Sequence, residues 1–313
     1  MIKRYSLYFL FVITVMLVAC QSEKSSTEEN DNKSDSEGGN IQMVTGDQTG
    51  SWVTIGAGLA DIANEYFDGF PITATPGPGS VGNPAAVFSG QADLGMSYPP
   101  FLLDAKEGNE PFEEEMPNLR AVAALTQTVV HLFQNADMDI ESIEELINNQ
   151  TKMTFAIPPK GQGSNSIAEI IFSSIGIEDI EEELEQWGAS VYYGSGSDLT
   201  DGWKDRHVDA VINTYNVPAA AIEESLAARD GKILNMGPNL LKTLTEEKGF
   251  SEFVIPAGTY SGQKDDIHTV SLPIIIFTRE DTSDEVIYNF TKSIYENIES
   301  LEAIHNSFHD FQK

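Results

Sequence analysis

From residue 41 onward the chain alternates short apolar runs with stretches of helical period, and this rhythm leaves few folds open. Residues 41–45 are an apolar run that ends in Thr-Gly. Residues 52–67 then carry Ile55, Leu59, Ile62, Ala63 and Tyr66 at helical spacing. The same reading predicts strands over 72–75, 93–97, 119–125, 129–133, 153–157, 191–193, 208–213, 233–236 and 269–278. It predicts helices over 83–89, 142–148, 164–175, 217–228, 239–247 and 283–301. Strands that alternate with helices argue for parallel sheets flanked by helices, an α/β class. The body is long enough for two lobes. The expected division places residues 41–125 and 250–313 in one lobe and 126–249 in the other, because two chain crossings let a hinge bend without breaking either core.

Four junctions between a strand and a helix are rich in Gly, Ser, Thr or Asn. The first runs from Thr45 through Gly46 and Gly50 to Ser51 and is followed by Trp52. The second carries Gly77, Gly79, Ser80, Val81, Gly82 and Asn83. The third carries Lys160, Gly161, Gly163, Ser164 and Asn165, and the fourth Gly194, Ser195, Gly196 and Ser197. Ligands of open α/β sheets gather at the carboxyl ends of strands. Glycine admits close backbone approach there, and the free N–H groups of the next helix favour an anion. Each junction alone reads equally well as an ordinary capped helix start. Several in one chain point to a shared polar cleft. Ser97 and Tyr98 close another strand, and the rings of Trp52, Tyr98, Tyr215 and Tyr260 are candidate walls.

Gly77, Gly79 and Gly82 spell a literal G-x-G-x-x-G. A dinucleotide site fails on detail: Pro76, Pro78 and Pro84 crowd the turn, and the next strand does not end in an acidic residue. No Walker loop, nucleophile elbow or H-E-x-x-H is present, and nothing arranges a nucleophile with its base. His305 and His309 stand at helical spacing but make a weak metal pattern. His131 and Trp187 read as packing residues, and the glutamate runs at 113–115 and 181–183 as solvated surface. No cofactor and no metal are expected.

The formal net charge is −31, from 18 Lys+Arg against 49 Asp+Glu. Such a surface repels nucleic acid and anionic membrane faces. Cys20 is the one cysteine, so a disulfide within the chain and a cysteine metal cluster are both excluded. It closes the run Leu17-Val18-Ala19-Cys20, behind Lys3, Arg4 and an apolar stretch over 7–19. A basic start, a short apolar core and a small residue at the cut make a secretory signal. A cysteine right after the cut marks a bacterial lipoprotein. Residues 1–19 are therefore expected to be removed and Cys20 to receive lipid, placing the protein on the extracytoplasmic face of the cell membrane. Residues 21–40 hold no large apolar side chain and are expected to form an acidic, flexible tether.

Several segments resemble the TAXI family, the solute-binding subunits of TRAP transporters, a group within the NMT1/THI5-like binding proteins. They are Thr45-Gly46 with Gly50, Gly79-Ser80-Val81 with Asn83, Ser89-Gly90-Gln91-Ala92-Asp93-Leu94-Gly95, and above all Ile255-Pro256-Ala257-Gly258-Thr259-Tyr260-Ser261-Gly262-Gln263. The resemblance implies a two-lobed periplasmic-binding-protein fold of type II, a Venus flytrap with a cleft at its hinge. It implies capture of a small carboxylate such as glutamate or 2-oxoglutarate. It also implies delivery to TRAP membrane permease subunits, expected to be a fused pair, with an ion gradient and not ATP as the driving force. Thr45, Gly50, Ser51, Trp52, Ser80, Val81, Asn83, Ser97, Tyr98, Lys160, Gly163, Ser164, Asn165, Tyr215 and Tyr260 are the expected ligand-binding residues. Lys160, the cation of the third junction, is expected either to pair with a second carboxylate or to sit solvated at the rim. Trp52 and Val53, Lys160 and Gln162 depart from the family pattern. The competing readings are an ABC-type or sensory receptor for a pyrimidine, sulfonate or other small anion, and a lipid-anchored enzyme on the same fold.

Overall fold

The computed structural model describes residues 39–46, 51–67, 69–160, 162–305 and 308. The leader, Cys20, nearly all of the tether, Gly50 and Gly161 lie outside the described residues. The chain order is β1 (Ile41–Val44), α1 (Ser51–Tyr66), β2 (Ile72–Thr75), α2 (Gly79–Phe88), β3 (Leu94–Ser97), α3 (Pro99–Glu107), β4 (Leu119–Asn135), α4 (Ile143–Asn148), β5 (Thr154–Ile157), α5 (Gly163–Ser173), α6 (Ile180–Gln186), β6 (Ser190–Tyr193), α7 (Gly196–Lys204), β7 (Ala210–Tyr215), α8 (Ala220–Ala228), β8 (Gly231–Ile233), α9 (Pro238–Glu247), β9 (Ser251–Ile255), β10 (Ile267–Arg279), α10 (Asp284–Glu296) and α11 (Ile298–Ile304).

Among the described residues, ten strands form one continuous sheet in the order β2-β1-β3-β10-β4-β7-β5-β6, with β8 beside β4 and β9 beside β10. Parallel trios stand at the two ends. In one, β1 pairs with β2 and β3; in the other, β5 pairs with β6 and β7. Between them run two long antiparallel strands, β4 and β10. Each has one half in either trio's neighbourhood. Residues 275–278 of β10 pair with β3, and residues 129–134 of β4 pair with β7. Their mutual register slips between Pro273 and Ile275. Proline has no N–H to give a ladder, so a bulge is where a sheet interior tolerates it.

One feature corrects the expected strand layout. The runs 119–125 and 129–133 are not separate strands; they are one strand, because Thr126, Gln127 and Thr128 continue the extended backbone and Thr128 pairs with Leu272. β9 pairs with residues 267–271 of β10, and Ile255, Tyr260 and Ile267 pack with Val129, Phe133, Leu199, Trp203 and Val211. Those partners lie within residues 126–249, and β10 pairs with the first trio over residues 275–278.

α2 begins at Gly79, four residues ahead of the expected start, and so carries Pro84 inside it. An interior proline leaves the carbonyl four residues back without its helical donor. That carbonyl is Ser80, and Ser97 Oγ donates to it at 2.6 Å. The helix thereby survives its proline. Three further helices, α3, α6 and α7, and strand β9 stand where no element was expected.

Candidate functional site

A cavity of about 620 Å³ opens where the carboxyl ends of both parallel trios meet. After β1 come Gly46, Ser51 and Trp52, and after β2 come Gly77 to Ser80. Tyr98 follows β3, Gln162 to Ser164 follow β5, and Ser195 and Gly196 follow β6. Residues 213–221 follow along the end of β7. Thr128 of β4 and His305, just past α11, complete the wall. This is where an open α/β sheet places a ligand.

Three helices at the cavity start without side-chain caps. Pro78 precedes α2, Gln162 precedes α5 and Ala219 precedes α8, and none of the three caps its helix with a side-chain bond. A first-turn N–H has no carbonyl of its own helix to bond. Uncapped, these donors and the positive ends of the helix dipoles face a common space. α7 differs, because Asp198 accepts from the Ser195 N–H at 3.2 Å and from its hydroxyl at 3.1 Å.

α2 and α5 nearly touch. A Cβ on Gly163 would collide with Ser80 Oγ and stand 3.5 Å from the ring of Tyr98. Only glycine allows the two helix starts this close. Ser80 is 2 % exposed, and its Oγ has no hydrogen-bond partner. A buried hydroxyl left unpaired costs about 1–3 kcal/mol, so it marks a place where something else should bond.

The remaining wall is neutral and polar. Ser164 Oγ lies 2.7 Å from Thr214 Oγ1, and Tyr98 Oη donates to Thr128 Oγ1 at 3.4 Å. Burial pushes the Tyr98 phenol up to about 12 and raises that of Tyr215. Trp52 meets Tyr98 edge-on with ring centres 5.0 Å apart. Burial lowers the His305 imidazole, which favours its neutral form. Among the described lining residues there is no Lys, Arg, Asp or Glu.

Of the expected residues, Ser51, Trp52, Ser80, Tyr98, Gly163, Ser164 and Tyr215 meet in this cavity. Others stand one layer behind and shape it. Thr45 lies under α1 and donates to the Thr75 carbonyl at 3.0 Å. Asn83 Nδ2 donates to the carbonyls of Thr45 and Met96 at 2.8 and 2.7 Å, tying β1 to β3. Ser97 holds Ser80, and Asn165 Nδ2 donates to the Pro158 carbonyl at 3.0 Å. Val81 sits in the first turn of α2, outside the lining.

Lys160 is not at the cavity. Its Nζ lies 3.2 Å from Glu181 and 5.5 Å from the centre of the Tyr193 ring. An exposed pair of this kind is worth about 0–1 kcal/mol. Tyr260 is 2 % exposed and lies behind the wall, not in it. Thr128, Asn213, Thr214 and His305 were not expected. Asn213 and Thr214 follow the apolar run of β7 and could have been read as the polar end of a strand. Thr128 sat in the apparent gap within β4, and His305 is brought in only by the packing of α11.

The fold matches that of periplasmic binding proteins. A TctC solute-binding protein from Polaromonas, solved without ligand, superposes with a TM-score of 0.52 at 12 % identity, over 87 % of this chain and 86 % of that one. MatC from Rhodopseudomonas palustris with bound malate superposes at 0.50 and 12 % identity, over 86 % and 88 %. XAC2383 from Xanthomonas citri bound to ATP superposes at 0.53 and 10 % identity, over 87 % and 88 %. The chain belongs to the NMT1-like family, whose model matches residues 43–313. No curated protein matches the chain.

Proposed function

We propose that this protein captures a small organic anion carrying one or more carboxylates and hands it to a membrane permease. The observation that carries the proposal is the meeting of three uncapped helix starts, α2, α5 and α8, around the unpartnered buried hydroxyl of Ser80. Donors without a nearby cation suit a carboxylate, which accepts several N–H and O–H bonds at once. A cationic ligand would meet no carboxylate among the described lining residues. Malate in MatC and ATP in XAC2383 are both anions held on this fold.

The finer reading is a TAXI-type receptor of a TRAP transporter for a solute of glutamate or 2-oxoglutarate size, held on the membrane by lipid on Cys20. Its support is the segment resemblance, with Ile255 to Gln263 at its head, and the run Leu17-Val18-Ala19-Cys20. The two halves of the sheet are the proposed lobes, and the crossing near Gln127 and Pro273 is the proposed hinge. Ligand between the lobes would then favour the closed state. Thermal-shift titration of the protein with 2-oxoglutarate, glutamate and malate tests the reading. A bound ligand at about 100 times its Kd should stabilise by about 2.7 kcal/mol. A shift with a neutral sugar or an amine, and none with the carboxylates, would reject it. Uptake in vesicles should survive ATP depletion and stop when the ion gradient collapses. Intact-mass measurement should find diacylglycerol on Cys20.

A further inference from the structure

The segment from Pro256 to Gln263 makes no contact with the cavity, yet it is tightly built. Gln263 Nε2 donates to the carbonyls of Ile255, Pro256 and Asp265 at 3.1, 3.0 and 2.9 Å. Its Oε1 accepts from the Tyr260 N–H at 3.2 Å, and Thr259 Oγ1 donates to the Pro256 carbonyl at 2.7 Å. The loop so formed drives the Tyr260 side chain into the core behind α8.

The bonds there have one consistent sense. His131 Nδ1 lies 3.0 Å from the Val129 carbonyl, which can only accept, so Nδ1 carries the proton. Nε2 is then an acceptor, and Tyr260 Oη, 2.9 Å away, donates to it. With its proton committed, Tyr260 Oη accepts from the Ala219 N–H at 3.1 Å. Ala219 precedes α8 and lines the cavity with Ala220 and Ala221. The Ser261 N–H also donates to Glu223 of α8 at 3.4 Å. His131 is fully buried, and its ring meets those of Tyr215 and Tyr260 edge-on.

We infer that Tyr260 and His131 are positioning residues for the ligand: they fix Ala219 and so aim the free N–H groups of Ala220 and Ala221 into the cavity. The claim rests on the reading that this cavity holds a small organic anion. A tyrosine suits the task because its one oxygen donates to one side and accepts from the other. The chain Val129–His131–Tyr260–Ala219 thereby links β4 to the start of α8 through side chains alone.

The test compares Tyr260→Phe with Thr259→Ala in the full chain. Tyr260→Phe removes the two hydrogen bonds of Oη and Thr259→Ala the one bond of Oγ1 in the same loop, and only the first reaches Ala219. Two readouts are taken: binding of 2-oxoglutarate by calorimetry, and the backbone amide signals of Ala219, Ala220 and Ala221 by NMR. Tyr260→Phe should weaken 2-oxoglutarate by about tenfold, the scale of one or two lost hydrogen bonds. It should also shift the Ala219 amide upfield and move those of Ala220 and Ala221. Thr259→Ala, which loses an exposed bond, should leave Kd and the three amides at their wild-type values. The His131 Nε2 nitrogen signal should change in Tyr260→Phe alone. Amides of residues 219–221 that stay in place in Tyr260→Phe overturn the inference whether or not the ligand binds. A wild-type protein that ignores 2-oxoglutarate counts against the anion reading, and the amide shifts then decide the brace by themselves. Amides that move with an unchanged Kd reduce Tyr260 to a structural role and overturn the inference as well.

Discussion

Ser80 keeps a buried hydroxyl that the folded chain leaves unpaired, and this sets the sign of its mutation. Ser80→Ala removes an unsatisfied polar group, so the melting temperature should hold or rise. If Oγ bonds the ligand, affinity should fall by about 1.5–3 kcal/mol, the scale of a hydrogen bond to a charged group. Calorimetry beside a thermal melt separates the two; equal affinity in Ser80→Ala takes Ser80 out of the site. His131 carries the second residue-scale prediction. Burial lowers its imidazole to about 4, whereas in the unfolded chain it titrates near its ordinary 6.5. Between these values the unfolded state binds more protons, so stability falls as pH drops through that window and is fully present above it. The groups facing His131 are the Tyr215 and Tyr260 rings and the Val129 carbonyl, with Glu223 next to Tyr260. Urea unfolding at pH 7 and pH 5 should show a larger loss for wild type than for His131→Gln, and identical losses would contradict this. Residue roles were the least legible part of the sequence. Ser, Asn and Thr at a strand end look alike whether they face a ligand or, as Asn83 and Ser97 do, tie the loop from behind.

At the scale of elements, the approach of α2 to α5 depends on Gly163. A Cβ there would strike Ser80 Oγ, so Gly163→Ala should hold the two helix starts apart. Affinity should fall by about tenfold or more, and if ligand closes the proposed lobes, small-angle scattering of this variant should show no compaction with ligand. Adding Ser80→Ala should ease the wedge, because it removes the atom at 2.2 Å and leaves Ser80 Cβ at 3.3 Å, a contact that needs a further small shift of the backbone. The double variant should then compact with ligand, although it lacks the Ser80 bond; failure to compact would contradict this account. Long periodic helices such as α1 and the short strands β2 and β5 were readable from their apolar spacing. Others were not, for physical reasons. α7 holds Gly196 and Gly202 in nine residues, and glycine is a poor helix former, so intrinsic propensity argued against a helix there. α6 buries only Ile180 and Leu184 beneath its run of glutamates. α2 contradicts the rule against interior proline, and only Ser97, distant in sequence, repairs it.

For the whole molecule, the alternation of strands and helices indicated the class, because each parallel trio is local in sequence. The crossing of β4 and β10 was not legible, since a pairing that joins Leu119 to Arg279 leaves no local mark. Charge acts on this scale too. A net charge of −31 would repel the proposed anion at long range, while the neutral donors of the cavity would hold it at short range. Stopped-flow association should therefore quicken as salt rises from about 10 to 150 mM, with the dissociation rate little changed. An association rate that falls with salt would point to a cationic patch that the described cavity lacks. The central claim is that helix starts and neutral hydroxyls hold a small carboxylate in this cleft. Its most direct test is calorimetric titration of the wild-type protein with 2-oxoglutarate, with its neutral dimethyl ester as control. Saturable binding of the acid at one site per chain, and none of the ester, is the predicted result. Equal binding of the ester, or no binding of any small carboxylate beside tight binding of a neutral or cationic solute, would contradict it.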